Sequence, residues 1–246
     1  MGHGSSRQRE QQILQTVERS SSTGVVPLVK MNLESIPPGI VSNGEKIKSM
    51  DLSQNKFPCI PPSIKGFTSL KLLKAHDNKT RLLPQEMGDL SKLETLELSH
   101  NLLHILPPSF NQLLALKVLD LSHNKLEVFP AEILSLSKLN TLNVSGNSLK
   151  SLPSGMEALE ALIELNANDN AIVKIDASLG SAPALVTLRL ERNQLREDDI
   201  PVEILQSSKV SHLQLEGNPI DMKKLQGKAG YDQYLERYTA TERKKD

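Results

Sequence analysis

Residues 116–138 read LKVLDLSHNKLEVFPAEILSLSK, and the same spacing of leucines around an asparagine recurs on both sides of this stretch. The recurring pattern is LxxLxLxxNxL, followed by LPxxI or a close variant. Its first residue stands at eight positions: Ile47, Leu70, Leu93, Leu116, Leu139, Leu162, Leu185 and Val210. The first six intervals are 23 residues and the last is 25. So regular a period indicates stacked repeats that fill the chain.

Each repeat has the pattern of one strand and one return segment. Leu119, Asp120 and Leu121 alternate with the period of two that is typical of a strand with one buried face. After the asparagine, the wider apolar spacing suits an extended turn followed by a short helix or 3₁₀ segment. We therefore predict an α/β fold, a right-handed solenoid or horseshoe with at least eight parallel strands in a concave sheet and short helical or 3₁₀ convex segments.

An asparagine follows the strand in every repeat, and we predict that these side chains form a buried structural ladder. They are Asn55, Asn78, Asn101, Asn124, Asn147, Asn170, Asn193 and Asn218. An asparagine amide carries two donors and an acceptor, so it can pair with backbone groups where the chain turns sharply out of the strand. Without such partners, these buried backbone groups would be left unsatisfied.

The two ends of the chain depart from the repeat. We predict four segments: residues 1–22 as a lipidation motif with a short capping helix, 23–46 as a degenerate first repeat, 47–220 as the repeats, and 221–246 as a helical cap with a basic tail. In the capping helix, expected over residues 8–20, Ile13, Leu14 and Val17 lie on one side. In the first repeat, Met31 stands where the asparagine belongs.

The carboxyl-terminal cap contains all three tyrosines of the chain. Tyr231, Tyr234, Leu235 and Tyr238 are spaced to lie on one face of a helix. The simpler interpretation is that this face seals the last repeat. The alternative is that it is a docking epitope for a partner.

Composition excludes several classes of function. Lys+Arg and Asp+Glu are both 29, so there is no positive surplus for nucleic acid. The single cysteine, Cys59, allows neither an internal disulfide nor a zinc cluster and favours a cytoplasmic location. Phosphate-loop, HExxH, CxxC and GxSxG motifs are missing, so we predict no catalytic residue, metal or cofactor. No apolar run approaches the roughly 18 residues of a membrane span.

Function is therefore expected on the exposed face of the sheet. The predicted partner-binding residues are Asp51, Lys74, Glu97, His100, Asp120, His123, Asn143, Asn166, Arg189 and Arg192. A second column predicted to be exposed comprises Ser53, His76, Ser99, Ser122, Ser145, Asn168, Glu191 and Glu216. The column that begins with Asp51 is acidic near its start, through Asp51, Glu97 and Asp120. Arg189 and Arg192 are expected to form a basic end. Such a surface could orient a charged partner, and the open alternative is a merely solvated face.

The repeat resembles those of the intracellular leucine-rich-repeat superfamily, in the LPxxI subtype similar to the Ras-associated signalling repeats. The tail, residues 230–241, resembles that of one intracellular type within the superfamily. The resemblance implies a horseshoe with N-terminal lipidation and no catalytic residue. The leading hypothesis is a monomeric scaffold or adaptor that holds a signalling protein, such as a small GTPase or a phosphatase. The alternative is a regulatory subunit whose tyrosine-rich cap contacts an enzyme.

Met1-Gly2 followed by Ser6 fits M-G-x-x-x-[ST], which predicts N-myristoylation of Gly2; the alternative is an unmodified terminus. One myristoyl chain gives an affinity on the order of 10⁴ M⁻¹, so we expect reversible membrane association. Intact-mass analysis of the protein from its own cells should show the acyl mass on wild type and not on Gly2→Ala. A wild-type mass without the acyl group would contradict the prediction.

Overall fold

The computed structural model describes the backbone of residues 3–243 and the side chains of residues 8 and 10–243. Its described strands are β1 (Val25–Pro27), β2 (Ser49–Asp51), β3 (Leu72–Lys74), β4 (Thr95–Glu97), β5 (Val118–Asp120), β6 (Thr141–Asn143), β7 (Ser151–Leu152), β8 (Glu164–Asn166), β9 (Lys174–Ile175), β10 (Thr187–Arg189) and β11 (His212–Gln214). Within this part of the chain, nine strands form one parallel sheet in the order β1-β2-β3-β4-β5-β6-β8-β10-β11. The predicted parallel solenoid is confirmed, and β1, which precedes the eight regular repeats, adds a ninth strand to the sheet.

The register of the sheet follows the repeat period. Leu96 of β4 lies opposite Leu119 of β5, and Leu119 lies opposite Leu142 of β6. These middle residues are fully buried, whereas the residues on either side of each are partly exposed. Because successive side chains of a strand point to opposite faces, one face of the sheet packs on the core and the other is accessible.

The return segments are short 3₁₀ and α-helical turns. The 3₁₀ helices span Gly44–Lys46, Pro62–Gly66, Gln85–Asp89, Pro108–Gln112, Ala131–Ser135, Met156–Ala158, Ala177–Ser181 and Glu197–Asp199. The α-helices here are α2 (Pro38–Val41) and α3 (Val202–Gln206). The longer last interval between repeats holds both Glu197–Asp199 and α3. Strands β7 and β9 pair in a second, two-stranded ladder on the return side.

The core is one continuous aliphatic cluster that runs through the stacked repeats. Phe57, Phe67 and Phe110 are its fully buried aromatic side chains, and leucines fill most of the remaining space. Burial of each leucine contributes about 1.5–3 kcal/mol, so neighbouring repeats stabilise each other through this shared core.

Each ladder asparagine joins two neighbouring repeats. The Asn124 Nδ2 group donates to the Leu121 carbonyl of its own repeat at 3.0 Å and to the Leu98 carbonyl of the preceding repeat at 3.0 Å. Its Oδ1 accepts from the Leu103 N–H at 3.0 Å. Equivalent hydrogen bonds form at Asn55, Asn78, Asn101, Asn147, Asn170, Asn193 and Asn218.

The amino-terminal edge of the sheet is covered by helix α1 (His3–Thr23), which begins earlier than the sequence suggested. Ile13 and Val17 pack against the core, but Leu14, expected on the same side, is exposed. A Cβ atom at Gly39 would lie 2.7 Å from Val17 Cγ1. Glycine at position 39 therefore lets α1 approach α2 closely.

The carboxyl-terminal cap consists of α4 (Met222–Gln226) and α5 (Tyr231–Glu242). Tyr231 and Tyr234 pack on the core, and the Tyr234 hydroxyl accepts from the Leu213 N–H at 3.3 Å. Leu235 and Tyr238 are 40% and 42% exposed, so the packed face is narrower than the predicted one.

Arg237, which the sequence analysis missed, ties α5 to the end of α3. Its guanidinium donates to the carbonyls of Leu205 at 2.6 Å, Ile204 at 3.1 Å and Val210 at 3.1 Å. Two of these carbonyls lie in the last turn of a helix, where backbone acceptors lack an intrahelical partner. Burial lowers the pKa of the Arg237 guanidinium.

We predict that Asn124→Ala lowers the free energy of unfolding by about 1–3 kcal/mol, because three buried backbone groups lose their partner. Chemical denaturation followed by circular dichroism measures the effect. The matched control is Asn111→Ala, at an exposed position in Pro108–Gln112, which should leave the midpoint close to wild type. Equal midpoints for Asn124→Ala and wild type would contradict the ladder's role in stability.

We further predict that Arg237→Lys destabilises the protein by roughly 1–2 kcal/mol, because an ammonium cannot reach several carbonyls with the planar fork of a guanidinium. Thermal unfolding of the full chain gives the measurement. Arg243→Lys, at an exposed position beyond α5, is the control. If both substitutions have the same small effect, Arg237 does not hold the cap.

Candidate functional site

The concave face presents two columns of side chains, because the first and third residues of strands β2–β6, β8 and β10 are partly exposed. The third residues align in register as Asp51, Lys74, Glu97, Asp120, Asn143, Asn166, Arg189 and Gln214. The first residues align as Ser49, Leu72, Thr95, Val118, Thr141, Glu164, Thr187 and His212. The sequence analysis missed this first-residue column. The alternation of exposed and buried residues, followed two positions back from each third residue, would have identified it.

Several polar residues of the third-residue column are bonded to their own backbone. The Asp120 carboxylate accepts from the Ser122 N–H at 2.8 Å, and Asp51 accepts from Ser53 N–H at 2.9 Å. Asn143 accepts from the Ser145 N–H in the same way. A short side-chain acceptor that bonds two residues ahead stabilises the turn out of the strand. Asp120 is therefore held in one orientation, with one carboxylate oxygen committed to the turn.

Ion pairs across neighbouring strands neutralise other charges of the face. Lys74 Nζ lies 3.0 Å from Glu97 Oε1, and Arg189 Nη2 lies 3.1 Å from Glu164 Oε1. The expected basic end is thus wrong for Arg189, because a carboxylate of the adjacent strand is paired with it. The charge that this face offers to a partner is weaker than the sequence column suggests.

Arg192 is paired as well. Its Nε and Nη2 donate to the two oxygens of Asp169 at 2.5 and 2.8 Å. These hydrogen bonds hold the pKa of the Asp169 carboxyl below its usual value. Arg192 therefore does not add a free positive charge to the concave face, and the predicted basic end is wrong at this position too.

The second predicted column is only partly exposed. Ser53, Ser122, Ser145 and Asn168 are buried, which corrects the expectation that they face solvent. The strand ends two residues before each of them, and Asn168 is bonded to Glu191 of the next repeat while Ser145 Oγ donates to Asn143 Oδ1 at 2.7 Å. His76, Ser99 and Glu191 are partly exposed, and Glu216 is exposed.

His100, His123 and Arg192 lie on the rim that follows the strands and not on the strands themselves. In this rim column, the residue before each ladder asparagine has a positive φ: Gln54, Asp77, His100, His123, Gly146, Asp169, Arg192 and Gly217. The left-handed conformation turns the chain so that the asparagine can enter the core.

The two rim histidines are in direct contact. The His100 and His123 rings stack with centroids 4.2 Å apart and an interplanar angle of 11°. Gly146 makes room for this stack, because a Cβ there would lie 2.5 Å from His123 Nδ1. Among the described residues, no group of three or more histidine, cysteine or acidic side chains could hold a metal ion.

An apolar stripe on the return side was also missed. Leu82, Ile105 and Val128 occupy the same position in successive repeats and are 58%, 62% and 77% exposed. Ile105 and Val128 line a groove of about 570 Å³ together with Phe129. The sequence did contain a signal for this stripe. Leu82, Ile105 and Val128 directly precede the buried Leu83, Leu106 and Phe129, at a position where a polar residue is expected.

The lipidation candidate, Gly2, lies outside the described residues. Within residues 3–243, no helix combines the length and apolar character that crossing a bilayer requires.

Known proteins with the same architecture support this description. Residues 91–149 match the leucine rich repeat family. The ectodomain of the plant membrane receptor kinase GASSHO1/SCHENGEN3 from Arabidopsis thaliana, in complex with CASPARIAN STRIP INTEGRITY FACTOR 2, is 31% identical with a TM-score of 0.66. The plant peptide hormone receptor RGFR1 in complex with RGF2 is 25% identical with a TM-score of 0.65. An internalin (inlF) from Listeria monocytogenes, 20% identical with a TM-score of 0.59, shares the fold.

These alignments cover 76%, 76% and 80% of this chain but only 23%, 31% and 62% of the three solved chains, respectively. The chain thus spans less than two thirds of each. The 23-residue period, the parallel sheet and the family match agree with one another. The chain has the fold of a leucine-rich-repeat solenoid, and its residues 91–149 match the leucine-rich-repeat family model.

Proposed function

We propose that the chain is a cytoplasmic scaffold or adaptor that binds a signalling protein on its concave sheet face. The observation that carries the proposal is the pair of side-chain columns, which run in register across the strands. Neighbouring strands lie about 4.8 Å apart, so one partner can contact several repeats at once. Leucine-rich-repeat folds commonly mediate protein–protein interaction, and two of the similar structures hold a bound ligand.

The finer features of this proposal come from the sequence. The LPxxI subtype and its likeness to the Ras-associated signalling repeats support a small GTPase or a phosphatase as the partner. The motif at Gly2 supports reversible membrane association of a monomeric scaffold. We propose a binding role without catalysis, because leucine-rich-repeat proteins are generally non-enzymatic scaffolds.

The alternative function is a regulatory subunit that contacts an enzyme through the cap. The contacts of Tyr234 and Arg237 favour a structural role for most of α5, since both side chains are engaged with the last repeats. Leu235 and Tyr238 remain exposed and are the cap residues that a partner could reach.

We predict that the double variant Glu97→Lys, Asp120→Asn folds normally and binds the natural partner at least several-fold more weakly. Glu97→Lys reverses a charge beside Lys74, whereas Asp120→Asn removes a charge and keeps the oxygen that accepts from the Ser122 N–H. The partner is captured from native cells with wild type, purified, and titrated against each variant. Unfolding midpoints establish that both variants are folded.

The matched control, Glu157→Lys with Glu160→Gln, makes the same change in net charge at exposed positions of a return segment. It should bind like wild type. If both double variants bind like wild type while Leu235→Ser with Tyr238→Ser loses the partner, the cap is the binding surface and the concave proposal is wrong.

A further inference from the structure

A depression beside the amino-terminal ends of strands β3, β4 and β5 gathers four lysines from two repeats, with Glu94 of the intervening repeat between them. Lys71, Lys92, Lys117 and Lys138 line a volume of about 310 Å³, together with Ser91, Glu94 and Ala115. We call the depression that these four lysines line the lysine pocket. Their positions span 68 residues of sequence, from 71 to 138, so the balanced composition of the chain does not reveal the cluster.

Glu94 holds the centre of the lysine pocket. Its Oε1 lies 2.9 Å from Lys71 Nζ, and its Oε2 lies 2.7 Å from Lys117 Nζ. Hydrogen bonds from Lys117 and then Lys71 lower the pKa of Glu94 to about 2, so this carboxylate is ionised at neutral pH. Four ammonium groups against one carboxylate leave a net charge of +3 in a chain whose formal net charge is zero.

The pocket continues into the proposed binding face. Lys71 directly precedes Leu72, and Lys117 directly precedes Val118, which both belong to the first-residue column of the sheet. A partner lying on the concave face can therefore extend a segment over this edge.

The chemistry of the pocket favours a carboxylate-rich peptide over other anions. Binding of single-stranded nucleic acid uses aromatic side chains on which the bases stack, and the residues that line this depression include none. A flat anionic bilayer would meet the Glu94 carboxylate in the middle of the lysines. An acidic peptide side chain can enter the depression and place its carboxylate against the ammonium groups of Lys92 and Lys138, which are not paired with Glu94.

We propose that the lysine pocket binds an acidic peptide segment of a partner protein, with carboxylates of the peptide on the lysines. This inference rests on the proposed function as a protein-binding scaffold and names the chemistry of one segment of the partner. The field of the pocket increases the association rate of such a segment and determines its orientation.

The test is fluorescence polarisation of the full chain with a short labelled peptide of glutamates. Binding should weaken as salt is raised, because exposed charges are screened. Lys71→Gln with Lys117→Gln should weaken binding roughly 10-fold. Because that variant strips Glu94 of its partners, Lys92→Gln with Lys138→Gln provides a second variant at exposed positions. Both should lose affinity.

The matched control is Lys150→Gln with Lys174→Gln, which removes two exposed lysines from the return side. It should bind the peptide like wild type, and a peptide with glutamine in place of glutamate should not bind. Equal losses in the control and pocket variants, or no binding by wild type, would overturn the proposal. Pocket-dependent binding to phosphatidylserine vesicles without peptide binding would also overturn it, in favour of a membrane site.

The concave variant Glu97→Lys, Asp120→Asn separates this inference from the proposed function. It should bind the acidic peptide at least as tightly as wild type, because neither residue lines the lysine pocket and both changes make the neighbouring strands less negative. Failure of the peptide experiment together with loss of the natural partner in the concave variant rejects the pocket and leaves the scaffold proposal standing.

Discussion

The amide of the ladder asparagine is the interaction on which the rest of the structure depends. Asn124 forms hydrogen bonds with the backbone carbonyls of Leu98 and Leu121 and with the backbone N–H of Leu103, and these groups belong to two repeats. The geometry requires an acceptor and two donors on a short side chain, so few other residues can replace it. Because the same bonds form in every repeat, the chain leaves each strand at the same point and the strands stay in register.

This register places residues that are 23 positions apart in direct contact. Glu94 reaches both Lys71 and Lys117, Lys74 reaches Glu97, and the rings of His100 and His123 stack. A surface of this fold is therefore a set of columns parallel to the solenoid axis. The properties of a surface depend on which residue types recur at one repeat position, and the total charge of the chain says little about them.

The sequence predicted the sheet and the position of Asp120, because the periods of two and 23 residues determine both. It did not predict that Ser122 is buried, since the alternation that assigned Ser122 to the exposed face ends with the strand at Asp120. Arg237 was missed because its carbonyl partners, Ile204 and Leu205 of α3 and Val210 after it, lie about 30 residues earlier, and no local pattern links them.

The contacts on the concave face also indicate how it can bind. Asp120 is fixed by its turn and Glu97 by Lys74, so a partner that meets these side chains needs to immobilise fewer rotamers, which lowers the entropic cost of association. The exposed columns from β2 to β10 contain no tryptophan, tyrosine or phenylalanine, the large anchors that dominate many tight interfaces. On the proposed role, affinity would come from many small contacts over several repeats, made by polar side chains and by the aliphatic Leu72 and Val118. A separate anchoring segment at the lysine pocket would then add affinity to that interface.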